Sequence, residues 1–217
     1  MAVAAGTTAH AELTSGPTPA DLSAAAAQAV AGRWRSRPAG QIFPSELGYS
    51  TSLLTQETAR RLGISRSVTC AASIDVTLDR LARREGCRAA LRATYVDELQ
   101  GVVYTVGVLA FGSPRRAAGF ARGLPRGQAG VTSLRAAAFG GTASAAFDDA
   151  ARQVAAVLQQ GPYVVLVVAG YADGRPAAAT AERRSAVFAP AAQLAAEVIA
   201  PLTASVQVDC ANREWSC

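Results

Sequence analysis

The stretch Tyr163-Val-Val-Leu-Val-Val-Ala169 is apolar at almost every position and follows a turn at Gln160-Gly-Pro162. An apolar run of this length, bounded by turn residues, predicts a central strand that is covered on both faces. On the other side of the turn, residues 151–159 predict its partner strand. A long helix follows, limited or kinked by Pro190 and Pro201. Its apolar residues are Val187, Leu194, Val198 and Leu202.

The preceding part of the chain repeats this order of elements. Residues 88–97 and 102–111 predict a strand pair. Ser113 and Pro114 then begin a helix, with the serine as N-cap and the proline in the first turn, and Gly123 ends it. The pattern is therefore β-β-α twice, preceded by helices. It predicts an α+β, two-layer fold in which helices pack on an antiparallel sheet.

Two further helices are predicted upstream of these units. Asp21 or Ser23 is expected to cap the first helix, and Gly86 can terminate the second. The apolar stripe of the first is Leu22, Ala26, Val30 and Trp34, and that of the second is Ile74, Leu78 and Leu81. Residues 1–19 are interpreted as a disordered tail or the remnant of an export or anchor segment. Residues 20–217 are assigned to one domain.

The four cysteines are Cys70, Cys87, Cys210 and Cys217. An even number, without CxxC spacing and without a usable histidine, favours disulfides over zinc. Of the three possible pairings, the two local loops are favoured, Cys70–Cys87 and Cys210–Cys217. An unbroken helix from Cys70 to Cys87 would hold them roughly 25 Å apart, whereas a disulfide needs Cα atoms within about 7 Å. The chain between them must therefore fold back.

Disulfides indicate an oxidising compartment, so an extracytoplasmic location is expected, either secreted or membrane-anchored. Ala9-His10-Ala11 has the small-x-small form of a signal-peptide cleavage site, although a basic n-region and a full hydrophobic run are lacking. An anchor or signal upstream would explain this. The alternative is a cytosolic protein with an Ala-rich leader and free thiols. No internal segment is long and apolar enough to span a bilayer.

The composition excludes most common catalytic routes. All 21 basic residues are arginine, the net charge is +5, and the one histidine is His10 in the predicted tail. A Ser-His-Asp triad and a histidine zinc site therefore lack their histidine, and a Schiff base or Walker A loop lacks its lysine. No catalytic, cofactor-binding or metal residue is assigned, and the chain is not expected to be an enzyme. No nucleic-acid module is recognisable, so no nucleic-acid partner is expected.

Carboxylate chemistry is the catalytic route that remains. Asp97/Glu98 and Asp148/Asp149 are the two acidic pairs, and paired carboxylates can act as acid and base or bind a cation. Adjacent residues on a strand, however, point to opposite faces. A carboxylate-dependent hydrolase or transferase acting on cell-envelope material is therefore the alternative function.

Loops and aromatic residues supply the remaining candidates for a binding site. The Gly-rich stretch 123–147 is a candidate functional loop and has room for one more short strand near 134–139. Trp34, Tyr49 and Tyr95 are placed either along a ligand groove or in the core.

Three stretches carry a resemblance to a known group: Trp34 with Pro38–Pro44, then Gly86–Tyr95, then Val103–Phe111. Together they resemble uncharacterised actinobacterial proteins with an N-terminal membrane anchor or signal and one extracytoplasmic domain. The similarity covers about residues 20–217. It implies a cell-envelope location and the local disulfide, and it brings no known activity.

The expected function is that of a non-catalytic extracytoplasmic binding or interaction domain. Its partner is an unknown protein, lipid or cell-wall ligand, and an N-terminal anchor would bring it close to the membrane. The full anchor of the resembling proteins is lacking in this sequence.

Overall fold

The computed structural model describes residues 16–51, 53, 55–125, 133–177 and 186–208. Residues 31–204 form one compact unit, and the described residues 16–30 and 205–208 belong to another. The assignment of residues 20–217 to a single domain stays a prediction.

Six α-helices and six strands lie in the described part of the chain. The helices are α1 (Pro19–Ser36), α2 (Ala39–Ile42), α3 (Cys70–Ser73), α4 (Asp79–Arg84), α5 (Pro114–Gly123) and α6 (Pro190–Thr203). The strands are β1 (Glu46–Ser50), β2 (Gln56–Ile64), β3 (Ala89–Val96), β4 (Val102–Ala110), β5 (Val154–Gln160) and β6 (Tyr163–Tyr171). They form one antiparallel sheet in the order β1-β2-β3-β4-β6-β5. The predicted α+β class, an antiparallel sheet with helices packed on it, is confirmed.

The four predicted strands are β3, β4, β5 and β6, and β5 begins at Val154, later than predicted. Strands β3 and β4 are buried along their whole length, and β6 is buried up to Gly170. Their position in the middle of the sheet explains the continuous apolar runs, because neither face meets water. The predicted start of α5 is also confirmed, since Ser113 Oγ accepts a hydrogen bond from Arg116 N.

The hairpin β1–β2 was not predicted. The short helix α2 separates α1 from β1. Strand β1 lies at the edge of the sheet and exposes alternate residues, and β2 carries Arg60 and Arg61. The pairing of β2 with β3 shifts between Arg61 and Gly63, which is a β-bulge. The bulge interrupts the two-residue alternation that would have indicated a strand.

The middle of the sheet is buried on both faces. On one face, α3, α4, α5 and the segment 133–151 contribute to a single apolar cluster. Its members include Ile74, Leu78, Phe120, Leu134, Phe147 and Leu166. Helix α6 contacts β1, β4, β5 and β6 on the other face, through residues such as Leu194 and Val198. The side chains of β4 alternate between these two layers.

Three local predictions were wrong. Neither Asp21 nor Ser23 caps α1, because the helix begins at Pro19, and Thr18 Oγ1 accepts a hydrogen bond from Asp21 N at 3.2 Å. Asp21 Oδ2 in turn accepts from Thr18 N at 2.9 Å, so the two residues cap each other reciprocally. Val187 precedes α6 and is 40% exposed. The segment 134–139 forms one isolated bridge, between Leu134 and Ile74, instead of a strand.

The disulfide between Cys70 and Cys87 is present, with Cα atoms 6.4 Å apart. The chain folds back as required, since α3 ends at Ser73 and an extended break at Ile74 and Asp75 separates it from the next helical turn. Gly86 then turns the chain with φ of 68° before Cys87. The predicted pairing of Cys210 with Cys217 lies outside the described residues. The Cys70–Cys87 bond is consistent with an oxidising compartment.

The described helices include none with the length and apolar character needed to cross a membrane.

Candidate functional site

The first acidic pair serves the local backbone. Asp97 lies in the β3–β4 turn, where its Oδ1 accepts hydrogen bonds from Gly101 N at 2.8 Å and Val102 N at 2.9 Å. Glu98 Oε1 accepts one from Thr58 N on β2 at 3.1 Å. These bonds occupy both carboxylates with turn and strand backbone.

The second acidic pair holds the loop that precedes β5. Asp148 Oδ1 accepts from Ala150 N at 2.8 Å, and Asp149 accepts from Ala136 N at 2.7 Å and from Arg135 Nε at 3.1 Å. Among the described residues, no group of three or more His, Cys, Asp or Glu side chains could hold a metal ion.

Two of the aromatic candidates belong to the core. Tyr95 is fully buried and donates a hydrogen bond from its hydroxyl to Pro44 O at 2.9 Å. Tyr49 is also buried, and its hydroxyl donates to Glu57 Oε2 at 2.8 Å. Burial raises the pKa of both phenols, and for Tyr49 the bond to Glu57 adds to that effect. Trp34 is only half-buried.

An open cleft of about 640 Å³ lies on the face of the sheet opposite α6, and we call it the Arg92 cleft. One wall is the bulged end of β2 with the two residues after it, and the other wall is the segment 136–139. Arg92 of β3 lies between them. The lining residues are Gly63, Ile64, Ser65, Arg66, Arg92, Ala136, Ala137, Ala138 and Phe139.

The β2 wall depends on the bulge and on a glycine. A Cβ at Gly63 would overlap the ring of Phe139, so only glycine lets that ring lie against the strand. Beyond the end of β2, Ser65 N donates to Arg92 O at 2.8 Å and keeps the chain beside β3. These contacts bring two distant parts of the sequence together on either side of Arg92.

The opposite wall is fixed by side chains of the sheet, and we call residues 135–137 the pinned segment. Thr94 Oγ1 donates to Ala137 O at 2.6 Å, and Thr105 Oγ1 accepts from Ala137 N at 3.2 Å. Both threonines are fully buried, and their hydroxyl oxygens are 3.0 Å apart. The pinned segment therefore crosses the sheet without pairing as a strand.

Arg92 completes this support and has hydrogen-bonding capacity left over. Its Nη1 donates to Arg135 O at 3.0 Å and Ala136 O at 3.4 Å. The residue is only 8% exposed, yet Nε has no hydrogen-bond partner among the described residues. A buried donor left without a partner costs about 1–3 kcal/mol. Arg92 also forms no ion pair within the described residues, so its charge is balanced by no adjacent carboxylate.

The charge of the cleft is positive. Burial lowers the pKa of Arg92, with a smaller contribution from Arg135, but a guanidinium stays charged at neutral pH. Arg66 is exposed and adds a second guanidinium to the lining. The lining residues include no aspartate or glutamate. Asp149, which attracts Arg92 electrostatically, is already bonded to Arg135.

The sequence indicated one wall of this cleft but not the arginine at its centre. Residues 136–139 lie in the Gly-rich stretch 123–147 that was named as a candidate loop. Arg92 was not singled out, although one signal was visible: it is the single charged residue of a fully buried strand. A charge in such a strand needs a partner or a function.

No family model, curated protein or solved structure matches this chain.

Proposed function

We propose that this chain is a non-catalytic binding domain of an extracytoplasmic compartment and that the Arg92 cleft is its ligand site. One observation carries the proposal: a buried, charged guanidinium with an unpartnered N–H lines an open cleft. Buried polar groups are normally satisfied within the fold. A donor left over beside an accessible cleft is best explained by a ligand that completes it.

The lining chemistry favours binding over catalysis. Arginine is a donor and a fixed charge, and it does not exchange protons near neutral pH. The one hydroxyl of the lining, that of Ser65, accepts a hydrogen bond from Ser67 N at 3.3 Å. These groups can hold and orient a ligand, and they supply no general acid or base.

The extracytoplasmic location rests on the disulfide and on the resemblance to secreted or anchored envelope proteins. A ligand of the cell envelope, either a wall component or a lipid, fits this location.

The function is tested by amide NMR spectra of the disulfide-bonded protein with three probes: a neutral chito-oligosaccharide, a glycerol phosphate polymer and phosphatidylglycerol vesicles. The expected result is that at least one probe shifts the amides of residues 63–66, 92 and 136–139, and that the probe is recovered unchanged. Ala138→Trp fills the cleft and should abolish the shifts. Ala145→Trp, at an exposed position of the same loop outside the lining, should leave them intact.

Two results would overturn the proposal. One is that none of the probes shifts the cleft amides. The other is that the wild-type protein converts the bound probe to a product.

A further inference from the structure

We infer that the Arg92 cleft recognises a phosphate group, with Arg92 holding it side-on through Nε and Nη2. This rests on the proposed function and names the ligand class of the same site.

The inference begins with the edge of Arg92 that is left free. A guanidinium presents five N–H groups in a rigid, planar fork. In Arg92 the structural bonds to Arg135 O and Ala136 O both use Nη1. Nε is unpartnered, and the hydrogen bonds of this side chain to other described residues do not include Nη2. Nε–H and the adjacent N–H of Nη2 point the same way, and this edge forms two parallel hydrogen bonds with an oxyanion.

The charge of the cleft selects among oxyanions. Two guanidinium groups, those of Arg92 and Arg66, contribute about two positive charges, and the lining supplies no carboxylate. A phosphate monoester carries about −1.5 to −2 charges at pH 7 and three acceptor oxygens. A single carboxylate balances only one of the two arginines. Phosphate therefore matches both the charge and the number of donors.

A backbone donor adds to the site. Ala138 is exposed and lines the cleft, and its N–H makes no hydrogen bond to any other described residue. Its neighbours on the pinned segment are all bonded, Ala136 N to Asp149 and Ala137 N to Thr105. Ala138, which follows the pinned segment, therefore keeps an N–H without a hydrogen-bond partner among the described residues.

Side-on contact requires a small movement. Nε is shielded from solvent in this structure, so an oxygen reaches it only after the Arg92 side chain shifts toward the cleft. Nη1 is bonded to two carbonyls of the pinned segment and resists a large displacement. We therefore expect phosphate to change the chemical shift of the Arg92 Nε–H as well as those of the nearby amides.

The test is a titration of the disulfide-bonded full chain with inorganic phosphate at constant ionic strength, followed by NMR. Wild-type protein should bind one phosphate in the cleft, with the Nε–H signal of Arg92 shifting. Arg92→Lys keeps the charge but loses the planar edge, and affinity should fall about tenfold or more. Arg66→Gln should weaken binding several-fold. Arg80→Gln removes an exposed arginine outside this cleft and should have no effect.

Ala138→Glu is a second variant that tests the site even if Arg92→Lys fails to fold. It leaves every contact of Arg92 in place, adds a negative charge at the rim, and should abolish phosphate binding while the spectrum stays dispersed.

Acetate distinguishes phosphate from carboxylate recognition, and glycerol phosphate compared with phosphatidylglycerol vesicles distinguishes a soluble phosphate from a lipid headgroup. Binding of acetate as tightly as phosphate, or phosphate binding that survives Arg92→Lys and Ala138→Glu, overturns the inference. If phosphate fails but the neutral oligosaccharide still shifts the cleft amides, the inference falls and the proposed function stands. If no probe reaches the cleft, both fall.

Discussion

At Gly107, strand β4 passes directly beneath the side chain of Leu134, which is fully buried. A Cβ at this position would overlap Leu134, whose side chain belongs to the apolar cluster on this face of the sheet. Gly107→Ala should therefore lower the free energy of unfolding by about 1–3 kcal/mol, measured by urea denaturation. Gly48→Ala is the matched control, because a Cβ on that strand glycine meets nothing within 4 Å. Equal stability losses in the two variants would contradict this prediction.

Burial of the Tyr95 phenol should make the free energy of unfolding fall at alkaline pH. Burial raises the pKa of its phenol above the ordinary value of 10.0, so the folded state keeps the proton when the unfolded state loses it. Its contribution is thus intact below pH 10 and declines above it, by up to about 1.4 kcal/mol per pH unit. Because the chain has no lysine, side-chain amines do not add to this effect.

Tyr95→Phe should show a shallower decline in unfolding free energy between pH 10 and 11.5 than the wild type. Below pH 9 the two curves should run parallel, offset by the lost bond to Pro44 O. Identical slopes above pH 10 would show that Tyr95 does not carry the effect.

The roles of some single residues could be predicted from the sequence, and those of others could not. Ser113 as N-cap and Gly86 as a turn residue follow from local chemistry, so both could be predicted. Arg92 could not be assigned a role, because its partners Arg135 and Ala136 lie more than 40 positions away in the chain. Only the folded structure tells whether a buried arginine is fully satisfied.

The stability of the α3–α4 region should depend on the Cys70–Cys87 disulfide. These helices are short, four and six residues, and such helices are not stable alone. The Cys70–Cys87 bond closes a loop with a sequence separation of 17. Replacing both cysteines by serine should lower the free energy of unfolding by roughly 3 kcal/mol, measured by guanidinium denaturation. Reduced wild-type protein should show a similar loss, and an unchanged midpoint in the double variant would refute the expectation.

The strands differ in how clearly their sequences predict them. The central strands β3, β4 and β6 read as apolar runs because both faces are covered. Strand β2 has one exposed face, two adjacent arginines and a bulge, so neither an apolar run nor a clean alternation appears. The hairpin β1–β2 is held mainly by pairing with β3 and by contacts of β1 with α6, which are tertiary effects.

For the whole molecule, the position of the core predicts which part of the chain folds by itself. Every buried hydrophobic residue among those described lies between Ile42 and Leu202. A chain limited to residues 31–204 should therefore unfold cooperatively and keep the dispersed amide spectrum of the full protein. Far-UV circular dichroism during heating and NMR measure this. A broad, non-cooperative transition would mean that the ends of the chain are needed for folding.

The Arg92 cleft is formed only when distant parts of the chain come together in the folded molecule. Its lining comes from residues 63–66, from β3 and from residues 136–139, three stretches separated in sequence and joined by the sheet. The sequence indicated a loop of interest in 123–147, but the opposite wall belongs to a hairpin that it did not indicate. Because one wall of the cleft belongs to the β1–β2 hairpin and the other to the stretch 123–147, the cleft could be located only in the folded chain.

The pinned segment has a consequence for how this protein can change over time. Thr94, Thr105 and Arg92 hold it through its main-chain carbonyl and N–H groups, so the anchoring does not depend on which side chains the segment carries. Ala138, the exposed residue that follows the pinned segment, can therefore be exchanged for other residues while the backbone before it stays in place. The rim of the cleft can in this way acquire new side chains while its backbone support is kept, and a library randomised at position 138 should yield folded proteins with altered ligand preference.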